Sequence, residues 1–220
     1  MDLSPLALSL RIAIVATGMA ALLGTILGAL LNHRRLWGRD LLDAVITAPI
    51  VLPPTVLGYY VLVSLGRGSA IGKAYESLTG TSIVFTTTGA TIAAFIGALP
   101  IVVKAARSAF EGVDPALVEA ARTLGATPLR AFLRVEVPLA KRGIVAGAML
   151  GFARSLGDFG VTLMVAGDIP GETQTAALAI YDKIQAGHDR EAIGMILILS
   201  AVAIGALYAV NKLTGKKHAR

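Results

Sequence analysis

The sequence predicts an all-α, polytopic membrane protein with about five transmembrane helices. Two observations support this fold class. Of the 220 residues, 55% are hydrophobic and 15% are charged, whereas about 25% of the residues in an ordinary soluble domain are charged. Five separate stretches are also long and apolar enough to cross a bilayer, which takes about 20 residues. A water-soluble fold would have too little polar surface to cover such a core, so lipid is the expected solvent.

The predicted spans divide the chain into a membrane domain, residues 7–210, and a short basic tail, residues 211–220. No stretch alternates with the two-residue period of a membrane β-barrel. The residues before Arg11 include no Lys or Arg, so the first span lacks the basic segment of a cleaved signal peptide and is expected to be retained. The five spans are Ile12–Leu31, Leu42–Leu65, Ile83–Val103, Gly143–Ala166 and Ala192–Val210.

Basic residues predict the orientation, because Lys and Arg concentrate in cytoplasmic loops. Of the 20 basic residues, 14 lie after the first span, around the loop 105–142, or in the tail. We therefore expect an outside N-terminus and a cytoplasmic C-terminus in a bacterial cell (inner) membrane. This topology also explains the net charge of +6, so nucleic acid is not an expected partner, whereas membrane lipid is.

Three spans carry small residues four apart, the spacing that lets membrane helices approach closely. Packing within one subunit and a dimer interface both explain such seams, and packing within one subunit is the simpler interpretation. The seams are Ala20, Gly24 and Gly28; Gly143, Gly147 and Gly151; and Ala201 with Gly205.

The second span contains Pro49, Pro53 and Pro54, followed by Thr55. Prolines remove amide donors, so they kink or unwind a helix. Broken membrane helices tend to line cavities, which makes Pro53, Pro54 and Thr55 candidates for a transport pathway. A kink that serves packing alone explains the same residues.

The fourth span carries Arg154, Ser155 and Asp158. A central charge in a membrane helix costs about 2.5–3.5 kcal/mol even on insertion scales. Arg154 and Asp158 are four residues apart, so on one helix they would share a face and neutralise each other. Either they form a buried ion pair, or Arg154 and Ser155 face a polar route for an anion. A strongly bound anion is not expected, because Asp158 cancels much of the field.

The loop 105–142 predicts a helix–turn–helix elbow. Asp114 and Pro115 suit a helix start, and Gly125 suits a left-handed end. Thr127 then starts a second short helix, which Pro138 is expected to stop. An elbow with one apolar side fits a groove on a soluble partner, but an amphipathic helix lying on anionic lipid has the same pattern.

This loop contains three short motifs in order: Glu119-Ala120-Ala121, then Gly125, and then Val135-Glu136-Val137-Pro138. Together they resemble the EAA loop of ABC-importer permeases. The family pattern ends in Ile-x-Leu-Pro, so Val135 and Val137 are departures of similar character. The resemblance implies a type I permease fold. It also implies that Glu119, Ala120, Ala121 and Gly125 form a turn that docks into a cytoplasmic ATPase, with Pro138 closing it.

Other stretches resemble molybdate permeases, namely residues 49–59, 109–114, 152–160 and 169–175. This resemblance implies import of an oxyanion, with molybdate as the first candidate substrate and tungstate, sulfate and thiosulfate as alternatives. It also implies a periplasmic or extracellular oxyanion-binding protein, which the outer loop would meet through Gly171, Glu172 and Thr173. A Pro-Gly turn explains those three residues equally well.

The chain is not expected to hydrolyse ATP, because residues 66–74 depart from the phosphate-loop spacing. Energy would come from separate ATPase subunits. Five spans without a repeat favour two copies of the chain with two ATPases. An ion-gradient-driven secondary transporter is the rival class, but such transporters usually contain internal repeats. Without cysteine, and with every histidine outside the spans, an intramembrane enzyme, a metal site and a cofactor are not expected.

Overall fold

A computed structural model describes residues 3–33 and 37–214, and these residues form helices and connecting turns without any β-strand. A π-helical turn, Phe132–Glu136, joins α7 to α8. The α-helices are α1 Ser4–Asn32, α2 Arg39–Val51, α3 Pro54–Leu65, α4 Ala70–Thr79, α5 Thr87–Glu111, α6 Pro115–Thr123, α7 Pro128–Ala131, α8 Val137–Leu156, α9 Gly160–Ala166, α10 Ala176–Gln185 and α11 Asp189–Thr214.

The predicted fold class is confirmed. By length and composition, three helices can each cross a membrane, and the number rises to five when each of two bent helix pairs counts as one span. The three are α1, α5 and α11, and the bent pairs are α2 with α3 and α8 with α9. α11 continues to Thr214, into the segment predicted as a tail. Residues 215–220 of that tail, and Arg34 and Arg35, lie outside the described residues.

α5 is the centre of the fold, with α1 on one side and α8 on the other. A Cβ on Gly24 of α1 would lie 2.8 Å from Val102 Cγ1, and one on Gly151 of α8 would lie 2.9 Å from Val102 Cγ2. A Cβ on Gly147 would collide with Ala105. The seams of the first and fourth spans therefore pack within one subunit, as close backbone approach requires.

The seam predicted in the fifth span behaves differently. Ala201 and Gly205 are exposed, and a Cβ on Gly205 would meet nothing within 4 Å in the described chain. The expectation that this seam packs within the subunit was wrong. α11 contacts α8 and α10 through other residues, because its rotation turns the small residues away from them.

The second span is broken rather than continuous. α2 and α3 meet at 116°, and the break consists of Leu52 and Pro53, whose ψ angles of 139° and 137° are extended. Each of these residues precedes a proline, and the proline ring excludes the helical conformation from the residue before it. The predicted kink is confirmed, although the bend is much larger than a single proline produces.

The bent pair of α2 and α3 lies alongside α5, as contacts at the two ends of the pair show. Lys104, in the last third of α5, donates to Asp43 near the start of α2. Leu57 and Val61 of α3 cluster with Ala93 near the start of α5. The pair therefore spans most of the length of α5 despite its bend.

The fourth span is also broken, which the sequence analysis did not predict. α8 ends at Leu156, and α9 begins at Gly160 with a 63° bend. Asp158 thus lies in the break and not on a helix face shared with Arg154, although the two side chains do pair at 2.9 Å.

Pro138 does not stop the second arm of the elbow, contrary to the expectation. The chain stays helical from Pro128 to Leu156. At Val137 the backbone N–H donates to Phe132, five residues back, so the hydrogen-bond ladder shifts by one residue immediately before the proline. Such a π-type turn lets a residue without an N–H enter a helix.

Replacing Gly147 with valine should separate α8 from α5. Overpacking of this kind costs about 1–3 kcal/mol, and we expect the melting temperature of the detergent-solubilised protein to fall by roughly 2–10 °C. Gly18→Val, within the helix α1, is the matched control, because a side chain there meets open space. Equal melting temperatures for both variants would contradict the packing described for Gly147.

Candidate functional site

The first arm of the elbow is capped at both ends, as predicted. Asp114 Oδ1 accepts a hydrogen bond from Ala116 N at 2.9 Å. At the other end, Gly125 has φ +88°, and the N–H of Ala126 donates to Ala121 O while that of Gly125 donates to Arg122 O, both at 3.0 Å. This pair of bonds is a Schellman motif, which only a residue tolerant of positive φ completes without strain.

The elbow presents its surface outward. α6 has no buried residue, and Leu124 at its end is 89% exposed. Of the residues assigned to docking, Glu119, Ala120 and Gly125 are exposed and Ala121 is partly exposed. Exposed apolar side chains on a capped, well-defined turn indicate a surface that another molecule covers. Pro138 is exposed on the first turn of α8 and does not belong to this turn.

The second arm attaches the elbow to the membrane helices. The Phe132 ring packs on Phe110 of α5, with ring centroids 5.6 Å apart. Ala106 and Ala140 complete the buried centre of this contact, with Val113 partly buried beside it. The elbow is therefore held to α5 by an apolar joint, in addition to the short connection after Glu111.

Arg154 and Asp158 form an ion pair between the broken helices, in which the Arg154 side chain is 35% exposed and that of Asp158 is 2% exposed. Asp158 is buried, and its Oδ2 accepts hydrogen bonds from the Thr162 N–H at 3.0 Å and the Thr162 hydroxyl at 2.6 Å. The carboxylate thus accepts from an amide at the start of α9, where the helix provides no acceptor for its first N–H groups. Its other oxygen accepts from Arg154 Nη1 at 2.9 Å.

The first break and the two helices that flank the second break face one cavity of about 240 Å³. Arg154 and Pro54 line it, and a Cβ on Gly97 would lie 3.5 Å from Arg154 Nη2. One guanidinium N–H group is used by Asp158, and a guanidinium has five N–H donors, so donors remain for an oxyanion. The other lining residues are apolar: Pro49, Ile50, Leu52, Leu57, Ile101 and Val161.

The remaining pathway candidates lie elsewhere. Ser155 is buried and donates to Ala94 O at 3.2 Å, so it joins α8 to α5. Pro53 and Thr55 are exposed and do not line this cavity. Sequence reasoning missed Gly97, for which the chain carries no local signal. It also missed Thr162, although the position of Thr162 four residues after Asp158 is a local signal that could have indicated this contact.

The outer loop is compact. The backbone N–H groups of Glu172, Thr173 and Gln174 all donate to Ile169 O, at 2.9–3.1 Å. Thr173 is 0% exposed, and its hydroxyl accepts from Ile169 N at 3.1 Å. The structure therefore does not support a partner contact through the Thr173 side chain. Gly171 and Glu172 are exposed.

The loop is tied to the rest of the chain at two points. Thr87 at the start of α5 donates to Glu172 O at 3.1 Å. Ser9 of α1 accepts from Ala176 N at 2.7 Å, which caps the short helix α10. Burial, and then the neighbouring Asp182 carboxyl, raise the pKa of Asp168 above its usual 3.8.

The raised pKa of Asp168 determines the direction in which the stability of the folded protein changes with pH. Its protonated form is favoured in the folded state, so its contribution to stability is full below about pH 4 and is lost as pH rises through the folded pKa. Asp168→Asn stays neutral and should therefore melt at a higher temperature than the wild type at pH 7, with the difference shrinking toward pH 4. Glu172→Gln, an exposed carboxylate in the same loop, is the control. A lower melting temperature for Asp168→Asn at pH 7 would contradict this account.

Comparison with known proteins gives concordant matches. The family described as "Binding-protein-dependent transport system inner membrane component" matches residues 20–213. The molybdenum transport system permease protein ModB of Haemophilus influenzae is 42% identical over 84% of this chain and 81% of its own length. ModB of Escherichia coli K12 is 41% identical over 90% and 86%. The sulfate transport system permease protein CysT of Salmonella typhimurium is 30% identical over 94% and 75%.

Among solved structures, a chain of the inward-facing MetNI methionine ABC transporter superposes with a TM-score of 0.70. The match covers 96% of this chain and 94% of that one, at 16% identity. At this identity the likeness shows the fold, which is that of an ABC-transporter membrane subunit.

Proposed function

Because the chain belongs to the family of binding-protein-dependent transport system inner membrane components, we propose that it is the permease subunit that carries molybdate in an ATP-driven ABC importer. As a member of this family it is a transport subunit, and such systems work with an ATPase and a substrate-binding protein. The observation that carries the proposal is the exposed, double-capped elbow around Gly125, together with its apolar joint to α5. A permease driven by a separate ATPase needs such a surface, whereas an ion-gradient-driven transporter does not.

The choice of molybdate rests on relatives. The two ModB proteins match this chain at 42% and 41% identity, against 30% for the sulfate permease CysT. Sulfate and thiosulfate are therefore the weaker candidates. Tungstate is nearly the same size and charge as molybdate, so a site of this kind would take both.

The proposed assembly contains two copies of this chain, two ATPase subunits on the cytoplasmic side and an oxyanion-binding protein outside. The charge distribution supports an outside N-terminus, since the first connecting loop, the region around the loop 105–142 and the tail together carry 14 of the 20 basic residues. The elbow would dock on the ATPase through Glu119, Ala120, Ala121 and Gly125. A second copy, or lipid, would cover the exposed small residues of α11. Gly171 and Glu172 would meet the binding protein.

The proposed pathway passes the cavity between the two broken helices. Arg154 attracts a divalent oxyanion, while Asp158 holds the guanidinium in place and offsets its charge. A nearly neutral pair in apolar walls favours brief contact rather than tight binding. Closure of the ATPase subunits would move the elbow, and the helix breaks would allow α3 and α9 to move against the central bundle.

Uptake in proteoliposomes tests the function. We expect the chain, reconstituted with its ATPase and binding protein, to import labelled molybdate only when ATP is present. Excess sulfate should compete weakly, and tungstate should compete strongly. Uptake that is indifferent to ATP would refute an ABC importer, and competition by sulfate at equal concentration would refute molybdate as the preferred anion.

Gly125→Val tests the elbow. Valine at φ +88° costs about 1–3 kcal/mol and should deform the turn. We expect uptake to fall on the order of tenfold, with membrane insertion unchanged and ATP hydrolysis no longer coupled to transport. Gly80→Val is the control, because Gly80 ends α4 at φ +73° and its side chain would meet open space. Normal transport by Gly125→Val would show that the turn does not couple.

Arg154→Gln tests the pathway. Loss of the guanidinium should lower the maximal uptake rate on the order of tenfold, but it also leaves Asp158 buried without its cation. The double variant Arg154→Gln/Asp158→Asn removes both charges and should restore the melting temperature while uptake stays low. If uptake recovers with the melting temperature, Arg154 serves only the stability of the fold.

A further inference from the structure

A network of five charged side chains joins the start of α2 to the end of α5. Lys104 Nζ donates to both oxygens of Asp43, at 2.7 and 2.9 Å. Arg107 Nη1 donates to Asp43 Oδ2 at 3.1 Å, and its Nε donates to Glu111 Oε1 at 2.9 Å. Arg39 Nη2 lies 3.8 Å from the same Glu111 oxygen. Asp43 is therefore the one carboxylate of this network that α2 contributes.

The network lies between the elbow and the cavity. α5 ends at Glu111, and after three connecting residues Pro115 begins α6 of the elbow. On the other side, α2 carries Asp43 and, within the same 13-residue helix, the cavity-lining Pro49. When a displacement of the elbow moves the end of α5, these ion pairs transmit the movement to α2.

Apolar packing contributes little to this joint. Among the residues of α2, all of which the structure describes, Ile46 alone is buried. It clusters with Leu31 and Val103. By contrast, Asp43 and Arg107 are each 22% exposed at their side chains, and partly buried pairs interact more strongly than pairs in water. Leu42 of α2 also packs against this cluster, so the ion pairs fasten α2 to α5 beside a small apolar contact.

We infer that Asp43 is a positioning residue for transport. It makes the bent pair α2 and α3 move with the elbow, so that the movement caused by ATPase closure is transmitted to the cavity at Arg154. This inference rests on the proposed function. Asp43 binds two cations on α5, at Lys104 and Arg107. Without it, those cations repel each other, and of the network described here the longer Arg39–Glu111 contact, at 3.8 Å, is what still joins a charge of α2 to α5.

Asp43→Asn provides the first test. In proteoliposomes with the ATPase and binding protein, we expect molybdate uptake to fall on the order of tenfold while ATP hydrolysis stays within about twofold. The number of ATP molecules hydrolysed per anion imported should rise accordingly. Glu76→Gln, which breaks the exposed Arg67–Glu76 pair at 3.5 Å beyond α3, is the control and should leave this ratio unchanged.

A double variant separates transmission from stability. Asp43→Asn/Lys104→Gln removes the repulsion between the unpaired cations without restoring the link. We expect its melting temperature to recover and its uptake to remain low, whereas Asp43→Glu should recover part of the uptake. If the double variant transports normally, the role of Asp43 is structural and the inference is wrong.

Different experimental results would refute the proposed function and the inference about Asp43. If the wild-type complex imports no molybdate with ATP, the proposed function falls whatever the variants do. If the wild type imports molybdate and Asp43→Asn hydrolyses the wild-type number of ATP molecules per anion, only the inference falls.

Discussion

Every backbone polar group in a membrane needs a partner inside the protein, because the hydrocarbon offers no water. This constraint governs the two breaks on which the site depends. At the first break, Pro53 and Pro54 have no N–H groups, so α3 begins with fewer unsatisfied donors than an ordinary helix. At the second break, the Asp158 carboxylate accepts the Thr162 N–H. A carboxylate buried there requires a cation, and Arg154 supplies it. The charge in the cavity is therefore a consequence of how the broken helix is capped.

Close packing around α5 separates the rigid part of the chain from the parts that are free to move. Val102 touches α1 at Gly24 and α8 at Gly151 with its two methyl groups, so none of these helices shifts without a collision. α2 has one buried residue, and the small residues of α11 face outward. We therefore expect the three central helices to move together as one unit, and the peripheral, bent elements to move relative to that unit. The elbow is fastened to this unit by Phe110 and Phe132.

The sequence predicted those features that depend on local chemistry. The caps at Asp114 and Thr127, the left-handed turn at Gly125 and the break before Pro54 each follow from one or two neighbouring residues. Features that depend on distant contacts were not predictable. Nothing near Gly97 indicates that Arg154 lies over it, and nothing near Gly205 tells which way α11 is rotated. Pro138 was misread because a proline excludes one hydrogen-bond pattern, and the chain adopted a π-type turn instead of ending the helix. Thr173 was assigned to a partner contact through the resemblance of its loop to that of molybdate permeases, whereas its hydroxyl closes the turn from within.

The pairing of Arg154 with Asp158 also bears on how an anion would pass. A lone guanidinium in an apolar cavity would bind a divalent oxyanion tightly, and a transport route has to release its substrate as readily as it admits it. The neighbouring carboxylate weakens the attraction, and the Thr162 hydroxyl and amide hold that carboxylate so that it does not swing into the cavity. Selectivity for molybdate would then belong mainly to the binding protein that delivers it. The cavity need only favour a negative charge over a positive one, and the remaining donors of Arg154 are sufficient for that.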